Sequence, residues 1–343
     1  MRNPTCILVV AGLAVLAALP GCRDKGRSGS RPGDGVTISR VALITGDDDA
    51  WSQAAQAALG RLAREQDVQV EHRRCEPAQV NDVIADLAGE GFGLILLQGG
   101  QYVDVLPISA PWTERTVVVC LGANDGLIDR PVAASRIAIG LGEGTYLCGT
   151  LAARLSQTHR AVAIGPQQLP MPRDAMTAFL YAIAAAGART RATLDDIPLP
   201  SDEQVRRTAS LAIREGVDML LDVTGRTGAL LEAAGEAPNI GVFACFNDAS
   251  GLSDAVVASV VVDLDGLFAR ILRQVRADEL DSVTRVGLAD GSVKLVISPA
   301  YRDRIDPATL AEVQRLEQAI RAGQVDVLAP PSSADAPPRA PGD

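Results

Sequence analysis

The residues best suited to chemistry fall into two short stretches. Asp47, Asp48 and Asp49 are consecutive, and Trp51 follows two positions later. An ionised carboxylate offers only acceptors, so this trio can hold amino or hydroxyl groups of a ligand. An indole beside it can stack on a flat heterocycle, worth ~1–3 kcal/mol by analogy with base–aromatic stacking. Plainer duties suit the same residues. Asp49 can cap a helix whose N-terminal dipole favours negative charge, and Trp51 can seal that helix against a sheet. The second stretch holds Gly225, Thr227 and Gly228. Its glycines let backbone amides come close to a ligand, although a tight strand-to-helix turn uses them equally well. Thr227 is the side chain there with a hydroxyl to offer.

Little else in the chain points to catalysis. His72 and His159 each sit among arginines, without a partnered nucleophile or metal-ligand spacing. Neither GxxxxGK[ST] nor a GxGxxG opening a helix is present, so no phosphate-binding loop and no cofactor is expected. Six cysteines occur, with no CxxC and no neighbouring histidine, which argues against zinc. Cys6 and Cys22 lie near the start. Cys120, Cys148 and Cys245 read as buried thiols, and one disulfide among these three and Cys75 is compatible with an oxidising compartment, without a preferred pairing. Carboxylates are too numerous, at 42 acids, for any one pair to stand out. The formal charge of -10 argues against a nucleic-acid polymer as partner. These features point to a binding protein and away from an enzyme.

The elements that position these residues are legible in outline. The first residues carry Arg2 and an apolar run over 7–19. Thirteen residues rising about 1.5 Å each span ~20 Å, short of the ~30 Å hydrocarbon core, so the run fits a signal peptide over 1–21. It ends in Leu19-Pro20-Gly21-Cys22, which resembles the lipobox of bacterial lipoproteins and implies lipidation of Cys22. Residues 22–35 are polar and rich in Gly and Ser, as in a flexible tether, and 330–343 compose a Pro- and Ala-rich tail expected to be disordered. Between them, short apolar runs alternate with amphipathic stretches. Strands are expected at 41–44, 68–72, 94–97, 117–121, 161–164, 219–223 and 240–244. Helices are expected at 50–66, 77–89, 144–155, 173–186, 202–215, 228–235 and 264–277. Such alternation implies parallel sheets of βαβ units, too many for one sheet, hence an α/β protein of two Rossmann-like lobes. Ligands of such sheets bind beyond the carboxyl ends of strands, which selects the loops after Ile44, Leu97, Leu121, Ile164, Val223 and Ala244.

Four segments, taken in order, resemble the basic membrane protein family of ABC-importer lipoproteins, which includes purine-nucleoside receptors. They are VALITGDDDAWSQAAQAAL at 41–59, GEGTYLCGTLAA at 142–153, EGVDMLLDVTGRTG at 215–228 and IRAGQVDV at 320–327. The resemblance implies a periplasmic-binding-protein type I architecture that closes on its ligand like a clam. Lobe 1 would hold 36–138 with about 245–282, and lobe 2 would hold 139–244 with about 283–329. It implies ligand contacts from Trp51, where the family usually has phenylalanine, from the acidic pair Asp47 and Asp48, and from Gln53. Gly225 and Thr227 would face them from the second lobe. The family's D-x-D-Q pattern is replaced by Phe243-Ala244-Cys245-Phe246-Asn247, so Asn247 or Asp248 would stand in for the sugar-binding acid and Phe243 or Phe246 for a second aromatic. The implied partners are a small polar ligand, nucleoside-like, an ABC permease with its ATPase, and a membrane reached through the lipid anchor on the periplasmic or outer face. A ligand sensor or a structural lipoprotein of the same fold is the alternative.

Overall fold

The computed structural model describes residues 38–123, 130–187, 189–198 and 200–331. The expected signal peptide, Cys22, the expected tether and nearly all of the expected tail lie outside them. The chain begins with β1 (Arg40–Thr45), α1 (Ala50–Gln66), β2 (Gln69–Arg74), α2 (Val80–Gly89), β3 (Leu94–Gln98), β4 (Val117–Ala123) and β5 (Ser135–Ile139). It continues through α3 (Leu141–Leu155), β6 (Arg160–Gly165), α4 (Pro170–Ala185), β7 (Arg191–Asp196), α5 (Asp202–Arg214), β8 (Met219–Asp222), α6 (Thr227–Ala234) and β9 (Gly241–Phe246). Then come β10 (Val256–Val262), α7 (Leu264–Arg276), β11 (Val283–Val286), β12 (Val293–Ile297), α8 (Pro299–Arg302) and α9 (Pro307–Arg321).

The strands form two six-stranded sheets, ordered β11-β5-β4-β3-β1-β2 and β12-β10-β9-β8-β6-β7. All pairings are parallel except that of β12 with β10. Position in the sheet explains the composition of each strand. β3 (LILLQ) and β8 (MLLD) are buried along their whole length, because helices cover both faces of a parallel sheet. The edge strands β2 (QVEHRR) and β7 (RATLDD) are only partly buried, and their charges discourage pairing with another chain. The same polarity hides β7 from a search for apolar runs. β10 (VVASVVV) is a buried strand that the sequence reading also passed over.

Helix ends follow local chemistry. Asp49 caps α1 by accepting the Ser52 amide at 2.7 Å, and Asp306 caps α9 through the Thr309 amide at 2.9 Å. Ser201 and Gln204 form a reciprocal capping box on α5. The resemblance segment at 142–153 lies within α3, which is buried nearly all round and packs against α4, so its small residues serve packing.

The sheets divide the chain differently from the expected lobe boundaries. β10 belongs to the second sheet, beside β9, so the chain does not return to the first lobe at about 245. It returns at Asp263: α7 packs on α1, and β11 extends the first sheet beside β5. β12 then lies in the second sheet, so the last crossover falls between Val286 and Val293 rather than at 282. The crossovers are laced together. Gly140 donates its amide to Val286 at 2.8 Å, Asp263 to Ser292 at 2.8 Å, and Leu288 to the Glu143 carboxylate at 2.6 Å.

Candidate functional site

The carboxyl ends of both sheets face one cleft of about 570 Å³. The first lobe contributes the loops after β1 (Gly46, Asp47, Asp49, Trp51, Ser52), β2 (Glu76, Pro77), β3 (Gln98 to Gln101) and β4 (Gly122). The second contributes the loops after β6 (Pro166 to Pro172), β7 (Pro198, Pro200), β8 (Val223, Thr224) and the end of β9 (Phe246). All six loops selected from sequence contribute, joined by those after β2 and β7. A second cavity of about 390 Å³ lies among the crossover segments and is lined by Gly140, Glu143, Asp290 and the 320–328 stretch. It takes in the last resemblance segment and belongs to the hinge.

Trp51 occupies both roles considered for it. It lines the cleft, yet is only 6% exposed and packs into the core beneath α1. Its ring lies 5.1 Å from that of Phe246, with the planes 35° apart, so the two form one aromatic wall across the lobes. The two rings are too close together to admit a flat ligand between them. Phe246 holds a positive φ of 80°, uncommon for a bulky residue and a mark of local constraint. Phe243, the other aromatic considered for a sandwich, is fully buried against Phe179 and takes no part.

The remaining expected residues separate into cleft lining and latch. Asp47 lines the cleft and also pairs with Arg226 of the second lobe at 2.7 Å. Arg226 in turn donates to the Pro200 carbonyl at 2.6 Å and to Asp202 at 3.0 Å. Gly225 accepts the Ala50 amide at 2.9 Å through its carbonyl and adopts a φ of 73°, which glycine allows at no steric cost. A side chain there would meet Asp49 at 3.2 Å, so Gly225 lets the two lobes touch. Asn247 donates to the Ala50 carbonyl at 2.9 Å, holding the lobes together from the second side. Gly225, Asn247 and Arg226 thus bind the other lobe. Asp48 pairs with Arg74 at 3.2 Å, and Gln53 leans on Asp48 at 3.5 Å, both away from the cleft lining. Thr227 donates to buried Asp222 at 2.7 Å and also does not line the cleft.

Asp222 organises the second-lobe loop from beneath. Its carboxylate accepts the Thr224 amide at 2.8 Å and hydroxyl at 2.6 Å, besides Thr227. Burial raises its pKa, and these three hydrogen bonds oppose the rise. Burial likewise raises the pKa of Asp49, against the hydrogen bond from Ser52.

Gln98 is the residue that sequence reasoning missed. It ends β3, an otherwise apolar strand, and is followed by two glycines. A polar side chain at the carboxyl end of a buried parallel strand is itself a signal. Gly99 follows with a φ of 126°, and a side chain on Gly100 would meet the Gly122 carbonyl at 2.6 Å. The backbone thus turns sharply and closely at the cleft floor. The prolines at 166, 170, 172, 198 and 200 give the opposite wall a stiff surface.

Among the described residues, no cluster of His, Cys, Asp and Glu could hold a metal ion. The four described cysteines are free and buried, and burial pushes the Cys120 thiol up to about 12. No described helix is long and apolar enough to cross a membrane.

Two parallel-dominated lobes with a cleft at their facing strand ends define a type I periplasmic-binding-protein fold. The chain belongs to the family of PnrA-like ABC transporter substrate-binding proteins, whose model matches residues 37–327. This is a family of solute-binding proteins and not of enzymes. Solved structures agree on the fold. An ABC solute-binding protein from Aeropyrum pernix K1 superposes with a TM-score of 0.73 at 16% identity, covering 84% of this chain and 92% of that one. One from Conexibacter woesei gives 0.63 at 20% identity, covering 84% and 97%. A transcriptional activator of the comK gene from Bacillus halodurans gives 0.68 at 17% identity, covering 83% and 99%. No curated protein sequence matches the chain significantly.

Proposed function

We propose that this chain is the lipid-anchored, extracytoplasmic receptor of an ABC importer, holding a nucleoside-like ligand in the cleft. The family supplies the receptor role and a permease as partner. The observation that supports the ligand class is the composition of the cleft. The Trp51–Phe246 wall suits a flat ring, while Asp47, Asp49 and Glu76 offer acceptors for hydroxyl and amino groups. No Lys, Arg or His is among the described lining residues, so an uncharged ligand fits better than a phosphorylated one. A cleft of this size, largely apolar with a few polar groups, is of the usual kind for a small molecule. Cys22 carries the anchor.

The test is a calorimetric and thermal-shift titration of the chain with adenosine, inosine and guanosine, beside ribose and amino acids. A purine nucleoside at ~100 times its dissociation constant should add about 2.7 kcal/mol of stability. Stabilisation only by a sugar or amino acid replaces the ligand class and leaves the receptor. In parallel, Cys22→Ser should move the exported protein from the membrane to the soluble fraction. Silence across the panel favours a second reading, a ligand sensor or structural lipoprotein of the same fold. That fold is shared with the Bacillus halodurans protein described as a transcriptional activator.

A further inference from the structure

Gln98 is 3% exposed, and neither its Oε1 nor its Nε2 meets a hydrogen-bonding partner in the protein. Among the described residues it is the one side chain with two such atoms. A buried amide of this kind calls for an explanation, because leaving it unpaired costs stability. Its surroundings show why the fold does not satisfy it. The neighbouring strands place Thr45 and Leu121 beside it. The Thr45 hydroxyl is engaged with His72 at 2.9 Å, the Tyr102 hydroxyl donates to the Cys75 carbonyl at 2.8 Å, and Leu121 has nothing to offer. Trp51 Nε1, in the same cleft wall, is likewise buried without a partner. These two cleft-lining residues carry three buried polar atoms without a protein partner, two donors and one acceptor.

We infer that Gln98 is the specificity-determining residue of the cleft, reading a ligand edge that carries a donor and an acceptor side by side. This rests on the binding-cleft reading above. A carboxamide matches such an edge with two parallel hydrogen bonds, as glutamine does with the amino–imine edge of adenine. The lactam edge of an oxopurine satisfies it equally. Trp51 Nε1, whose N–H lies in the indole plane, adds a donor for an acceptor elsewhere on the ligand than the stacked ring. Ligands that present only acceptors leave the Gln98 carbonyl oxygen unpaired and are rejected, since a site built to hydrogen-bond discriminates strongly against analogues lacking the partner.

The test compares the full chain with Gln98→Met, which keeps length and volume while removing both polar atoms. Two readouts are taken: affinity for adenosine and inosine, and the melting temperature without ligand. The variant should lose at least ~10-fold in affinity for whichever nucleoside binds. Without ligand it should melt about 2–4 °C higher, because an unpaired buried amide has been removed. If the wild-type chain binds a nucleoside and Gln98→Met binds it within threefold, the inference falls while the receptor reading stands. If no nucleoside binds the wild-type chain, the ligand class falls and the melting temperature decides: a rise supports Gln98 as an amide held for a ligand. An unchanged or lower value makes it a structural residue and overturns the inference.

Discussion

The two walls of the cleft are built on the same plan and end differently. Both are loops at the carboxyl ends of parallel strands, yet the first-lobe wall leaves polar atoms uncommitted where the second pairs them internally. Gln98 and Trp51 Nε1 on the first wall have no protein partner. On the second, Thr224 is spent on Asp222, Gln168 donates to the Pro198 carbonyl, and the rest of the surface is proline, Leu169, Met171, Val223 and Phe246. Under the proposed binding reading, the difference gives recognition to one lobe and a preformed apolar cover to the other. Closing such a cover over a ligand strengthens the hydrogen bonds beneath it by excluding water, at little cost in ordering the cover itself.

The largest expected effect tests the first wall. Trp51→Ala removes both a cleft surface and a core side chain, so it should cost ~3–5 kcal/mol of stability as well as at least tenfold in nucleoside affinity. Trp51→Phe keeps a ring against Phe246 and should retain the fold while losing the Nε1 donor. Denaturant melts of both variants beside their affinities separate the two duties. If Trp51→Ala binds normally, Trp51 leaves the site and the contrast between walls rests on Gln98 alone.

Thr224→Val should do the reverse on the second wall. It removes a hydroxyl donated to a buried carboxylate and should cost about 1.5–3 kcal/mol in urea unfolding, with nucleoside affinity within threefold of wild type. A tenfold loss of affinity with stability unchanged would turn the second wall into a reader and break the comparison.

The smallest effect concerns Asp49, at the seam between the walls. Burial raises its folded-state pKa above the ordinary 3.8, so the ionised form lowers stability above that folded value. Acidification relieves this cost as pH falls through the folded pKa toward 3.8. Asp49→Asn preserves a good N-cap. It should therefore melt slightly higher than wild type at neutral pH, with the gain shrinking on acidification. Melting curves across pH 3–8, at roughly one-unit intervals spanning the carboxylate range, check both sign and window. A gain that grows on acidification would mean the carboxylate is stabilised by Arg226 rather than strained by burial.

Much of the fold was legible in the sequence because buried parallel strands are continuous apolar runs and their helices repeat every 3.6 residues. β1, β3, β4, β6, β8 and β9, with the helices from α1 to α7, lie within a few residues of where periodicity puts them. β7 escaped because an edge strand is half polar. The lobe boundaries escaped because nothing local tells β10 which sheet to join; its pairing with β9 and β12 spans distant residues. In the site, the loops at the strand ends surround the cleft, and Trp51 and Asp47 are among its lining residues.

The sequence by itself determined the alternation of strands and helices, the caps at Asp49 and Ser201, and the loops that must surround a ligand. These depend on neighbours a few residues away. Only the tertiary structure decided which side chains in those loops are available. Asn247, Gly225 and Arg226 are turned to the opposite lobe, Thr227 is held by Asp222, and Gln98 is left with both polar atoms unpaired. A hydrogen bond is decided by which partner lies within about 3 Å, and Asn247 and Ala50, 197 positions apart in the chain, meet only once both lobes are folded.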